Sequence, residues 1–310
     1  MDTSKSVSEP FRHYHDFHNQ LNVTLKVLVA AVEFTVTEVS KPSSKVRLGD
    51  LIRSADPSWT SPAIWDAHPA LRPALLTSIA HLGITSVYSA LDDFRVGTEA
   101  EIARWEDISG LQMPFVAAAH EADDGDLPLT RFLERRGWYS KIDNNLLVLL
   151  KYFDAVRNCI AHRRGRVSRE LKQLSCDSAL AAASRNLSRK GINTLPPFKE
   201  EDIDLVLYPK HAIIYSHMGR LFAKTVNSLL IEMIGADGVL NLAAFHTASQ
   251  EYFTKGMPRL PEVALKHALL RRYKVLLEDA NEGHRRLRRL GGWQKFAAAY
   301  RRLRPTPVES

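Results

Sequence analysis

Apolar residues recur at helical intervals through most of the chain. Leu21, Leu25, Leu28, Val32 and Val36 predict a first helix over residues 11–40. Leu76, Ile79, Leu82, Val87, Tyr88 and Leu91 predict a second over 73–94, with Pro73 suited to its first turn and Asp92 and Asp93 at its end. A third, over 210–234, carries Ile213, Ile214, Met218, Leu221, Phe222, Val226, Leu229 and Met233. The most regular face is Ile142, Leu146, Leu149, Phe153, Val156 and Ile160, spaced by 4, 3, 4, 3 and 4 residues, and Gly165 is placed to end that helix, read as 141–163. Shorter helices fit 99–111, 131–139, 175–190, 239–254 and 259–281, whereas Ile203 to Leu207 alternates as a short strand or an extended approach. The fold class is therefore all-α. A bundle is built on the 73–94, 141–163 and 210–234 helices, and a basic helical extension follows it.

Between these helices the pattern changes. Residues 41–72 are loop-rich, with Pro42, Pro57, Pro62 and Pro69; Trp59 and Trp65 there read as groove fillers, with base stacking as the other reading. Asp123, Asp124 and Asp126 begin like a calcium loop, but Pro128 follows and no glutamate closes it at the twelfth position. The chain divides into an N-terminal helix and wrapping segment (1–72), a helical core (73–235) and a basic extension (236–310), with a break at Gly235 to Gly238. No Gly-rich phosphate loop or internal repeat occurs.

Charge sharpens this division. The whole chain carries +7, yet the stretch from Lys255 onward holds 14 Lys and Arg against 5 Asp and Glu, so the remainder is slightly acidic. A basic end on a near-neutral body suits a polyanionic partner such as RNA, and a solvated helical face explains it equally. Arg285, Arg286, Arg288 and Arg289 lead into Trp293, Phe296 and Tyr300. Basic residues interleaved with aromatics suit phosphate contact with base stacking. The same run suits a docked amphipathic helix, with Leu287, Leu290, Trp293, Ala297 and Tyr300 as its buried side.

Composition excludes more than it selects. With 45% hydrophobic and 25% charged residues it is ordinary for a globular protein. Two cysteines, Cys159 and Cys176, offer no disulfide framework or Cys-rich zinc site, which fits a reducing compartment. The N-terminus lacks the apolar core of a signal peptide, and uninterrupted apolar runs such as Leu25 to Val32 fall short of the ~20 residues of a membrane span. The expectation is a cytoplasmic protein with no membrane partner. His15 and His18 are spaced for a metal, but no matching acid or histidine set completes a site, and an exposed helix start accounts for them. No metal and no cofactor is expected.

The polar side of the 141–163 helix carries the candidate chemistry. At about 100° per residue, Asn158 and His162 project opposite the apolar face, Arg157 about 60° and Asp154 about 120° from its centre. Cleaving RNA without a metal requires removing the 2′-OH proton, stabilising the phosphorane charge and protonating the leaving oxygen. Histidine transfers protons either way near neutral pH, and arginine presents a permanently charged fork that matches two phosphate oxygens. One helix supplies one of each; a two-fold dimer supplies two. Leu147 and Leu150, apolar on the same broad side, are expected to be exposed in a monomer. Asn158 is placed to orient the imidazole or the phosphate, Asp154 to hold Arg157 by an i,i+3 contact, and Arg163, Arg164 and Arg166 to bind flanking phosphates. Arg, Asn and His near a helix end can also merely satisfy carbonyls and the helix dipole.

Arg157-Asn158-x-x-x-His162 near a helix end, followed by Gly165, resembles the motif of the HEPN superfamily, over roughly residues 70–235 judged from helix order. The resemblance implies an all-α bundle and a metal-independent endoribonuclease whose paired Arg-x4-6-His helices form one shared site in a homodimer. It implies Arg157 and His162 as the catalytic pair and Asn158 as the polar residue after the arginine. A setting in stress or phage defence follows from it, as a toxin held by an antitoxin or other regulatory protein, or as an effector. Some relatives with the motif only dimerise or bind. Arg163 and Arg164 stand where many members carry small polar residues, and no tyrosine stands at 164, so control by nucleotidylation is not implied.

Overall fold

The described residues hold more helices than the apolar pattern predicts, several of them short. The computed structural model describes residues 1–3, 5–41, 48–58, 71–110, 128–187, 195–249, 258 and 260–303. Trp59, Trp65 and the acidic stretch at 121–126 lie outside them. Among the described residues the protein is all-α. The helices are α1 (Glu9–Ser40), α2 (Leu48–Ala55), α3 (Leu71–Ser109), α4 (Pro128–Arg135), α5 (Asn144–Arg163), α6 (Arg169–Ser175), α7 (Ser178–Leu187), α8 (Pro209–Ala248), α9 (Pro261–Tyr273), α10 (Ala280–Arg289) and α11 (Trp293–Arg302), with a 3-10 turn at Tyr139–Lys141.

One merger and several short helices account for the difference. The 73–94 and 99–111 helices are one, α3, because Arg95 bonds Asp92 at 2.9 Å and Glu99 at 2.8 Å across the break in apolar spacing. Asp92 and Asp93 therefore lie inside a helix and not at its end. The 210–234 and 239–254 helices stay distinct: α8 is two helical segments that meet in a kink at Gly235, whose φ 64°, ψ −177° is non-helical and open essentially to glycine alone. Farther on, a Cβ at Gly238 would lie 2.7 Å from the indole nitrogen of Trp105, so this turn packs where only hydrogen fits. The helix expected near 175–190 is α7, and a further short helix, α6, precedes it. Ile203 to Leu207 is extended, with a single bridge between Arg166 and Asp204.

The described residues form two compact units. The first, His15–Leu91 with Ile142–Phe222, contains the Arg-Asn-His helix. Its core joins Leu76, Ile79, Ile84 and Val87 of α3, Leu146, Leu149, Phe153 and Val156 of α5, and Ala212, Tyr215, Met218 and Phe222 of α8. Phe153 stacks on Tyr215 at 4.6 Å between ring centroids. Helices α3 and α8 approach closely at Gly83, where a Cβ would sit 2.7 Å from that of Ala212. His18 is buried and bonds Ser216 at 2.7 Å, so it is no part of an exposed helix start.

The second unit comprises Met1–Tyr14, Asp92–Lys141 and Ala223–Ser310. Leu265, Leu269 and Tyr273 of α9, Leu287 of α10 and Phe296, Ala297 and Tyr300 of α11 are buried in it. Tyr300 donates to the Pro258 carbonyl at 2.7 Å. The aromatics of the basic extension are thus buried against this chain's own residues and not held out for a partner or for base stacking, except that Leu290 is exposed and Trp293 is half-buried against His284.

Two helical stretches, Arg72–Ser109 and Pro209–Ala248, are long and apolar enough to cross a membrane by length and composition. Counting only uninterrupted apolar runs overlooks them. Their most apolar windows are 39% and 50% buried within the protein, and core helices of a bundle meet the same criterion.

Candidate functional site

Helix α5 starts where Asp143 accepts from the Asn145 amide at 2.9 Å and ends at a left-handed Arg164, whose N–H returns to the Cys159 carbonyl. Its apolar face packs as the spacing requires, but burial reaches farther round: Leu150, Tyr152, Ala155 and Cys159 are also enclosed. Helices α6 and α7 pack on α5 and cover this wider face. Leu150 is consequently buried within the chain and is no exposed apolar residue awaiting a partner, while Leu147 is half-buried.

The polar residues form a connected row. Arg157 Nη1 donates to Asn158 Oδ1 at 2.9 Å and lies 3.3 Å from His162 Nε2. Asn158 Nδ2 donates to Asp154 Oδ2 at 3.2 Å. Asp154 therefore supports the row through Asn158, with no bond to Arg157. The difference is geometric: position 158 lies one full turn from 154, whereas the Arg157 fork swings toward the helix end. Because a guanidinium only donates, Nε2 of His162 is the acceptor in this contact and carries no proton there. The same lone pair would take a proton from an approaching hydroxyl once the 3.3 Å contact with Arg157 opens.

Under this row lies a residue that periodicity assigns to the core. The Arg157 guanidinium sits 3.9 Å from the centre of the Tyr88 ring on α3. Arg157 Nε is shielded from solvent with no acceptor among the described residues, so the ring face is its main compensation on that side. Only a tertiary contact reveals this role, since Tyr88 falls in register with the apolar positions of α3. Replacing Tyr88 by Ala should free Arg157 and cost about 0.5–1 kcal/mol of stability, and Phe should keep most of it. Urea unfolding of both variants measures this.

His81 is the second histidine near this helix end. It lies against Gly165 and bonds the Leu205 carbonyl at 3.1 Å. Nε2 must donate in that bond, so His81 braces the turn and is poorly placed to shuttle protons. Burial lowers its pKa, and the carbonyl bond acts the other way.

Asp154 has the most perturbed carboxyl of the site. Burial pushes it up to about 6; the Arg157 charge opposes this, Glu170 adds to it and the Asn158 bond opposes it. A folded-state pKa above the unfolded value means that the folded form binds the proton more tightly. The contribution of this group to stability is therefore fully present below about 4 and is lost as pH rises through about 6. Asp154→Asn should raise stability by about 1–2 kcal/mol near pH 8 and leave it unchanged near pH 4. Urea unfolding at both values tests this.

Around the row, His162, Arg163, Arg164 and Arg166 are exposed, and none of the three arginines forms an ion pair among the described residues. The second basic group is less free. Arg285 pairs with Asp279 at 3.3 Å and Arg286 with Asp237 at 2.6 Å, while Arg288 and Arg289 are exposed. The two groups belong to different units, so each is a surface in its own right.

One cluster among the described residues has metal-capable spacing: Glu9, Glu101 and His246, with ligand atoms within 4.8 Å of one another. Its ligand atoms are already engaged. Glu101 binds His246 at 2.8 Å, Tyr273 at 3.1 Å and Arg104 at 3.1 Å, and Glu9 pairs with Arg12 and Arg272. The arginines supply the positive charge an ion would bring, so the cluster is a closed ion-pair network. No family model, curated protein or solved structure matches the chain.

Proposed function

We propose that the chain is a metal-independent endoribonuclease of HEPN type, working as a homodimer. Two copies of the Arg157–His162 row would form one composite site. The observation that carries this reading is the 3.3 Å contact between Arg157 and an exposed His162, backed by Asn158 and Asp154 and bordered by three arginines without ion pairs. In one copy His162 Nε2 takes the 2′-OH proton; the resulting alkoxide attacks the adjacent phosphorus. Arg157 and Asn158 hold the non-bridging oxygens, and the second copy's protonated imidazole delivers a proton to the leaving 5′-oxygen. The products are a 2′,3′-cyclic phosphate and a 5′-hydroxyl, so atoms and charge balance without a metal or cofactor.

Arg163, Arg164 and Arg166 bind flanking phosphates in this scheme, with Arg288 and Arg289 free for a more distant strand. The setting that fits is cytoplasmic stress or phage defence, with the enzyme held in check by an antitoxin or other regulatory protein. The test is incubation of total RNA with purified protein in EDTA, alongside His162→Ala and Arg157→Ala. Fragments ending in 2′,3′-cyclic phosphate, lost in both variants, are expected. A folded dimer that leaves RNA intact overturns the catalytic reading.

A non-catalytic nucleic-acid or protein-binding module is the second reading. The exposed Arg288 and Arg289, beyond the two arginines already paired, favour it. A binding module keeps its full affinity in His162→Ala and loses it in Arg288→Ala/Arg289→Ala.

A further inference from the structure

Helix α1 is apolar on two opposite sides. Its inward side carries Leu25, which packs at Gly83 of α3 with side-chain carbons 3.2 and 3.3 Å from where a Cβ would stand. Rotated about 140–200° from Leu25 lies a second line, Val23, Val27, Ala30 and Phe34, spaced by 4, 3 and 4 residues. Val23 is 63%, Val27 61% and Phe34 68% exposed. No glycine or proline interrupts α1 between Phe11 and Ser40. A helix apolar on both faces is ordinarily covered on both, and intervals of 4, 3 and 4 residues keep the stripe on one face of a nearly straight helix.

We infer that this stripe is a self-association surface, on which α1 of a second copy packs antiparallel. The charges beside the seam choose both occupant and direction. Lys26 and Glu33 lie on the same flank, seven residues apart, and Glu38 lies on the other. Antiparallel packing about a two-fold axis between Leu28 and Val29 sets Val27 against the second copy's Ala30 and Val23 against its Phe34. It brings Lys26 of each copy beside Glu33 of the other, twice. Parallel packing brings Glu33 beside Glu38, like against like, and gives Lys26 no acid. Arg72 holds the Glu33 carboxylate at the edge of the stripe by bonds of 2.8 and 2.5 Å. A surface that complements its own image under a two-fold axis fits a second copy of this chain better than an unrelated partner.

This inference rests on α1 alone and stands apart from the ribonuclease reading, because its readout is mass and not cleavage. Full-length protein is run by sedimentation equilibrium across a micromolar concentration series, beside Phe34→Asp, Lys26→Glu, Glu33→Lys and the double charge exchange. Expected are a wild-type assembly of twice the mass of Phe34→Asp, which keeps any dimer formed through α5 and an unchanged melting temperature, with several-fold weakening of this further association in each single charge variant and recovery in the double. An unchanged mass in Phe34→Asp overturns the proposal. So does a monomer that Phe34→Asp destabilises, because the stripe is then covered by the chain's own residues. Failure of the double exchange to recover association overturns the antiparallel pairing.

Discussion

Replacing His162 by Ala should lower RNA cleavage about 10²–10⁴-fold, the usual contribution of a positioned proton-transfer group. The loss belongs in turnover, with RNA affinity kept, because Arg157 and the arginines after it remain. Stability should hardly change. His162 is exposed, and its only described bond is the long contact with Arg157. Single-turnover rates with saturating RNA, together with thermal melting, separate these effects. Arg157→Ala should differ in kind: removing the cation from Tyr88 and the donor from Asn158 weakens RNA binding as well as turnover. Equal affinity losses in the two variants would show that His162 acts only as another RNA contact.

The largest expected effect on stability lies in the other unit. Glu101 and His246 are 2% and 0% exposed and share a 2.8 Å bond. Burial alone would raise the Glu101 pKa, but the bond and charge of His246, the Tyr273 hydroxyl and the Arg104 charge outweigh it and hold the carboxyl below the usual range. His246→Ala leaves that buried carboxylate without its nearest partner and should cost roughly 3–5 kcal/mol in urea unfolding. The pH dependence follows from the lowered pKa. This contribution is fully present above the unfolded value of about 4.3 and is lost as pH falls through the lower folded value. Glu101→Gln should remove that part of the acid sensitivity while costing less at neutral pH. An unchanged acid limb in Glu101→Gln would mean that another carboxylate governs it.

Much of this was legible in sequence wherever a local rule and the packing agree. The face of α5 could be read because Leu146, Leu149, Phe153 and Val156, which repeat along it, also meet the core, and Asp143 and Gly165 mark its ends. Where a polar bridge carries a helix onward, periodicity stops short, as where Arg95 joins the halves of α3; where a glycine breaks one, as Gly235 kinks α8, the break is legible. At the site, helical spacing alone brought Arg157, Asn158 and His162 within reach of one another. It could not choose between the i,i+3 and i,i+4 partners of Asp154, because that depends on a rotamer. Nor could it separate Tyr88 from the core residues with which it keeps step. Leu150 was misjudged for the complementary reason: what covers it comes from α6 and α7, which follow in sequence and leave no trace in the pattern of α5 itself.

Arg164 adopts φ 55°, ψ 36° at the end of α5, a conformation that costs a side-chain-bearing residue about 1–2 kcal/mol relative to glycine. Glycine takes this conformation without that cost, so the end of α5 is a place where the fold spends stability on a charged side chain. Arg164→Gly should recover up to about 1 kcal/mol in urea unfolding, and the recovery measures directly what the left-handed turn costs the folded chain.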